Sequence, residues 1–233
     1  MVSLPVGPGE GKIAAMREAK SDKPFLFVGN HLCLDFINTQ MIVHGILTDL
    51  LDDFSDLVAW LAQAGVLDKT EEREVMKTWG GQREGARTFE EARTFRGILR
   101  GMAERIVAGQ PVSQPAVEAI NRLLRQHVGY AQLVRVRGEF EQAFRSESRA
   151  ATRLLVPLAE SASRLLCAGD LSLVKKCQNP ACVLYFYDTT KNHARHWCSM
   201  SLCGNRMKVA AHYQRKRSGS HSRVKQGAPK RLD

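Results

Sequence analysis

The chain has 233 residues, of which 44% are apolar and 25% charged, enough to build the core of one large domain or of a medium-sized domain carrying a small module. No run approaches the roughly 20 apolar residues that span a bilayer, and the opening MVSLPVGPGEGKIAAMREAKSDKP lacks the apolar stretch and small-residue cleavage site of a secretory leader, so no membrane span is expected and the cytoplasm is the expected location. The net charge of +10 lies wholly in the C-terminal quarter: residues 171–233 hold 13 Lys and Arg against 2 Asp and Glu, and residues 1–170 hold 21 against 22.

Residues 1–23, rich in Gly, Pro and Lys, read as a flexible segment. FLFVGNHLCLDFINT, from Phe25 to Thr39, alternates enough to predict a strand with a turn at Gly29-Asn30. Its polar residues Asn30, His31, Asp35 and Asn38 either line a small pocket or, as such residues more often do, cap turns and satisfy backbone groups. Phe54, Leu57, Val58, Leu61 and Ala62 make a helical stripe that Asp53 or Ser55 caps and Gly65 ends. A short helix from Thr70 to Trp79 stops at Gly80-Gly81, and a long one runs from Ala86 to Val107. After a loop marked by Gly109, Pro111 and Pro115, the residues Val117, Ile120, Leu123 and Leu124 form another apolar face. Tyr130 to Phe144 alternates around Arg-Gly-Glu and predicts a β-hairpin. A last helix of this region covers Ser148 to Cys167, with Pro157 bending it or delaying its start. Residues 24–169 thus read as a mostly helical domain. They show no repeat, phosphate-binding loop, HExxH or Ser-His-Asp arrangement, so neither a catalytic set nor an organic cofactor is expected.

The remaining segment, 170–217, concentrates both charge and cysteine. Cys177, Cys182, Cys198 and Cys203 follow the pattern C-x4-C, fifteen residues, C-x4-C. Zinc favours four sulfur or nitrogen ligands in a tetrahedron, and two local pairs separated by a hairpin-sized insert close one. Disulfides, disfavoured in a reducing compartment, and an iron–sulfur centre are the alternatives for four thiols. Four protein sulfurs leave no position for water or substrate, so the expected Zn2+ is structural, and so short a segment needs it to fold. Between the pairs, Val183 to Tyr187 suits a strand and Asp188 to Asn192 a turn, with Tyr185, Phe186, Tyr187 and Trp197 as a small core shared with the preceding domain. Cys33 and Cys167, in apolar surroundings, read as buried small hydrophobes. From Gly204 to Arg217 a helix is expected, with Lys208, His212, Arg215 and Lys216 on one face and Met207, Ala210, Ala211 and Tyr213 on the more apolar side. Such a basic face suits phosphates or a major groove. Arg195 and Arg206 flank the cysteines and either join that surface or neutralise the thiolates and bond backbone carbonyls. Residues 218–233 read as a basic flexible tail.

WCSMSLCGNR, from Trp197 to Arg206, strongly resembles the CGNR-type zinc finger. Phe186, Asp188, Asn192, Arg195, Met200, Gly204, Asn205, Arg206 and Lys208 also fall at places that match the family's pattern, with Thr190, Lys191 and His196 as mild departures. The upstream GNHLCLDFINT resembles the start of the ABATE domain that commonly precedes this finger. The resemblance implies a stress-induced transcriptional regulator, with Asp188, Asn205 and Arg206 supporting the finger or contacting its ligand. The overall expectation is a mainly α fold with a small β-hairpin or sheet component and a C-terminal treble-clef-like zinc finger with four cysteine ligands. It would bind double-stranded DNA through that finger, while the N-terminal domain senses a small-molecule effector or mediates assembly, a homodimer being one form. A protein–protein or RNA-binding module is the alternative, and an enzyme built on His31, Asp35 and Asn38 a third.

Overall fold

A computed structural model describes residues 25–136 and 138–222. The N-terminal segment 1–23 and the tail beyond 222 lie outside the described residues. The chain enters extended, turns at Gly29-Asn30, and forms α1 (Leu32–Ile37). A hairpin follows, β1 (Gln40–Val43) and β2 (Ile46–Asp49), closed by His44 and Gly45 at φ of 50° and 83°. This two-residue turn with both φ positive suits the twist of the strands it joins. Next come α2 (Phe54–Gln63), α3 (Lys69–Trp79), α4 (Arg83–Val107) and α5 (Gln114–Leu124). The second hairpin is β3 (Gly129–Val136) and β4 (Glu139–Ser146). A 3-10 turn, Ala151–Leu155, leads into α6 (Val156–Ala168). The C-terminal module contains β5 (Val174–Lys176), β6 (Tyr185–Tyr187) and α7 (Asn205–Ser222). The three sheets among the described residues are antiparallel pairs.

Local signals set most of these boundaries. Asp53 accepts from the N–H groups of Ser55 and Asp56 at the start of α2, and Asp68 with Glu71 forms a reciprocal capping box on α3. Pro157 sits in the first turn of α6, where its missing N–H costs nothing, and so delays the α-helix until Val156. The long helix α4 buries Phe89, Ala92, Phe95, Leu99, Met102 and Ile106 along one stripe. One apolar core runs from Phe25 through these residues and the buried stripes of α2, α5 and α6 to Tyr185.

Three expectations are corrected. The segment expected as a strand holds α1, in which Cys33, Leu34, Asp35, Phe36 and Ile37 are all buried. An apolar run of this length carries no period that separates strand from helix. Set deep in the core against α4, α6 and β6, a helix satisfies backbone groups internally that a lone buried strand would leave unpaired. Cys33 is buried as expected, but Cys167 is exposed, because it lies off the Leu158–Ala162–Leu165 stripe of α6. Finally, α7 extends to Ser222, into the segment expected as a flexible tail.

The polar residues near the start of the domain bind backbone. Asn38 brackets Tyr185, its Nδ2 donating to the Tyr185 carbonyl at 2.8 Å and its Oδ1 accepting from the Tyr185 amide at 2.9 Å. Asn30 donates to the Tyr187 carbonyl at 2.9 Å, and the Tyr187 amide donates to the Gly29 carbonyl at 2.8 Å. The first described stretch of the domain is thereby fastened to β6. The His31 ring meets that of Tyr187 edge-on at 4.8 Å.

Candidate metal centre

β5 runs straight into Cys177, and β6 begins three residues after Cys182, so the short hairpin carries the first cysteine pair at its tip. This differs from the expected layout in one respect: the strand pairing with Val183–Tyr187 precedes the first cysteine, and residues 188–197 return as a loop. The tip is closed by Cys177 N–H to the Leu184 carbonyl at 2.9 Å and Cys182 N–H to the Asn179 carbonyl at 2.9 Å. Asn179, buried, turns the chain by accepting from Ala181 N–H and donates its Nδ2 to Cys203 Sγ at 3.2 Å. The second pair is shaped by Ser199, whose hydroxyl accepts from Leu202 N–H and whose carbonyl accepts from the amides of Cys203 and Gly204. Gly204 has no room for a side chain: a Cβ there would lie 2.5 Å from Met200 Sδ and 3.1 Å from the Trp197 ring.

The four sulfurs lie within 4.8 Å of one another, with Cys182 and Cys198 at 3.9 Å. Metal–sulfur bonds of about 2.3 Å in a tetrahedron give edges of about 3.8 Å, so this donor set fits one metal ion. Cys198 N–H and Asn179 Nδ2 supply the N–H···S contacts that support ligating sulfur. Contacts with Cys182 and Cys198 hold the Cys177 thiol well below the usual thiol range, while contact with Cys177 pushes Cys182 and Cys198 upward. Without a cation the cluster favours one thiolate, because further negative charges would repel at contact; a divalent ion removes that conflict. Three of the four sulfurs belong to buried residues, and Cys182 is half-buried.

Asp188 organises the return loop. It is fully buried, receiving Thr190 N–H at 3.0 Å, the Thr190 hydroxyl at 2.6 Å, Arg195 N–H at 2.9 Å and Lys175 Nζ at 2.7 Å. Burial alone would raise its pKa, but the bonds from Lys175, Thr190 and Arg195 outweigh burial and hold it well below the usual carboxylate range. Arg195 then locks the loop to the body. Its guanidinium stacks 4.1 Å over the Phe186 ring and donates to the carbonyls of Trp197, Val28 and Cys198. Of the two roles the sequence left open for Arg195, the geometry shows bonding to backbone carbonyls.

The other candidate contacts are on α7. Arg206, Lys208, His212, Arg215 and Lys216 are all exposed. Lys208, His212, Arg215 and Lys216 share a face, and Arg206 points to roughly the opposite side. The expected apolar side of this helix packs on nothing beyond its first turn: Met207 is half-buried, whereas Ala210, Ala211 and Tyr213 are exposed. Asn205 opens the helix and is exposed. Sequence reasoning missed the supporting roles of Lys175, Asn179 and Arg100, whose guanidinium on α4 donates to the Val183 carbonyl. Asn179-Pro180 within C-x4-C is a turn signal that points to the second of these, and nothing local marks the other two.

No helix among the described residues is long and apolar enough to cross a membrane. The chain matches two family models: ABATE, described as "Putative stress-induced transcription regulator", over residues 30–169, and the CGNR zinc finger over residues 174–216. Both families are non-catalytic. Comparison with curated proteins gives no match. The chain therefore belongs to the ABATE family and carries a CGNR zinc finger at its C-terminal end.

Proposed function

We propose that the protein is a transcription regulator that holds one Zn2+ on Cys177, Cys182, Cys198 and Cys203 and binds double-stranded DNA with α7. The observation that carries this reading is the helix itself. It starts two residues after the last sulfur ligand, and every side chain from Lys208 to Lys216 is exposed. A helix without a core-facing stripe gains little from burial, so its sequence answers to something other than packing. At about 1.5 Å per residue its 18 residues span about 27 Å, long enough to lie in a major groove. Lys208, Arg215 and Lys216 on one face supply phosphate contacts, with Arg206 available to a neighbouring strand. Zinc with four thiolates adds −2, so the segment from 171 keeps a positive field of about +9. Reduced cysteines persist most readily in a reducing compartment, so a cytoplasmic location is part of this proposal, with the stress-response role taken from the family description. The N-terminal domain would sense or assemble; a shallow groove of about 560 Å³ between the end of α4 and the start of α5, lined by Met102, Arg105, Ser113 and Ala116 among others, is where an effector is to be sought.

Reading of single-stranded RNA by stacking needs exposed aromatic faces; of Tyr185, Phe186, Tyr187 and Trp197, the first two are buried and the others half-buried, which disfavours that alternative. The test is fluorescence anisotropy of zinc-loaded protein with fragments of its own upstream DNA, titrated across salt beside competitor DNA and RNA. Replacing Lys208 and Lys216 with Ala is expected to weaken binding and to lower the slope of log affinity against log salt by about two. Zinc-loaded protein without salt-dependent DNA binding would sink this function.

A further inference from the structure

The second hairpin has no third strand beside it among the described residues. β3 and β4 pair over eight residues each, from Gly129↔Ser146 to Val136↔Glu139, and neither outer edge has a strand neighbour among the described residues. A two-stranded hairpin alone is marginal in water, and open edges template pairing with another chain. This one also exposes apolar surface: Tyr130 is 53%, Leu133 68% and Phe140 62% exposed. The register places Ala131, Leu133, Arg135, Phe140 and Gln142 on one face, with the Arg135 guanidinium 4.7 Å over the Phe140 ring.

The sequence of β4 says what fits the edge. Residues 139–145 read Glu-Phe-Glu-Gln-Ala-Phe-Arg, a pattern that complements its own reverse. Laid antiparallel on a second copy with Gln142 opposite Gln142, it sets residue 139 (Glu) opposite residue 145 (Arg) and residue 140 (Phe) opposite residue 144 (Phe). Opposite charges and paired aromatics directly across strands are the favourable cross-strand combinations. The backbone agrees. In a two-residue hairpin the closing pair, Val136 and Glu139, exchanges its hydrogen bonds inward, so by alternation residues 140, 142 and 144 direct theirs outward. Those are the residues that pair with one another in this register.

We propose that β4 is the dimerisation edge of this protein: two copies join antiparallel through residues 139–145 into a continuous four-stranded sheet with a two-fold axis at Gln142. The contact is isologous, so each favourable pair occurs twice. The inference is independent of whether α7 reads DNA.

The experiment is sedimentation velocity on full-length, zinc-loaded protein across a concentration series, using wild type, Glu139→Arg, Arg145→Glu and the double variant. Thermal melts confirm that each chain stays folded. The wild type is expected to be a dimer. Each single variant, which turns two attractive pairs into two repulsive ones, is expected to raise the dimer dissociation constant about tenfold or more. The double variant restores the opposite-charge pairing and is expected to return close to wild type. A monomeric wild type, a dimer indifferent to both single variants, or a double variant as weak as either single one would overturn the proposal.

Discussion

Two buried aspartates show how neighbours decide what a carboxylate does. Asp188 is surrounded by donors and its charge is stabilised, a contribution present at neutral pH and lost as pH falls through the carboxylate range. Asp35 is buried on α1, where burial pushes its pKa up to about 6 despite acceptance from the Gly29 amide at 2.7 Å and attraction to Arg195. A raised folded-state pKa means that the folded chain binds more protons than the unfolded one between about pH 4 and pH 6. Asp35 therefore contributes most below pH 4 and weakens the fold as pH rises through 6. Asp35→Asn removes this dependence: compared at pH 4.5 and 7.5 by urea denaturation, the variant should gain on wild type by about 1–3 kcal/mol at the higher pH. A difference that stays constant with pH would mean that Asp35 is not protonated in the folded state. The resemblance singled out Asp188 from its place in the motif. The role of Asp35 was hidden because it depends on the depth at which α1 lies.

The cysteine module holds little apolar material of its own. Its small core comprises Cys177, Leu184, Phe186, Cys198 and Cys203, three of them candidate metal ligands, with Leu26, Val28 and Met41 packed alongside from the other domain. So small a cluster does not offset the chain entropy of its loops, and the metal must supply the remainder. The core around α1, α4 and α6 includes no ligand cysteine. Chelation should therefore unfold the cysteine loops, residues 177–184 and 188–204, and release α7, while that core, which includes Val174 and Tyr185, stays in place. Hydrogen exchange measures this directly: amides of the module lose protection and those of α4 and α6 keep it. One cooperative collapse of both parts, or no change in either, would contradict it. Cys203→Ser should behave like the chelated protein. The ligand set was legible because spacing of cysteines is local; the pairing of β5 with β6 was not, since three-residue strands carry no readable period.

At the scale of the molecule, the module is fastened to the helical domain by a few long-range polar contacts. Arg100 on α4 donates to the Val183 carbonyl at 3.2 Å, the Ile37 carbonyl at 2.5 Å and the Gln40 carbonyl at 3.3 Å, with its guanidinium 5.8 Å from the centre of the Tyr185 ring. Val183 adjoins the ligand Cys182, so metal binding and docking are linked. Arg100→Met keeps much of the packing volume and leaves these carbonyls without their donor, at a cost of about 1–3 kcal/mol. On the zinc-binding function proposed above, the metal binds the docked, folded module, so competition with a chromophoric chelator should show affinity falling on the order of tenfold. An unchanged affinity would show that the module folds without help from the domain.

Residue type and spacing were enough to find the four cysteines that cluster, the helices α2 and α3, the stripes of α4, α5 and α6, the β3–β4 hairpin and the confinement of positive charge to the C-terminal quarter. Each of these is settled within a few turns of chain, which is the range over which caps, periodicity and chelation act. Long-range packing settled that Leu32–Ile37 is a helix, that Asn38 serves Tyr185 across 147 residues, and that Arg195 turns inward to the Val28 carbonyl. These outcomes depend on which backbone groups the folded core leaves without partners, and burial makes satisfying those groups compulsory only after distant segments have met.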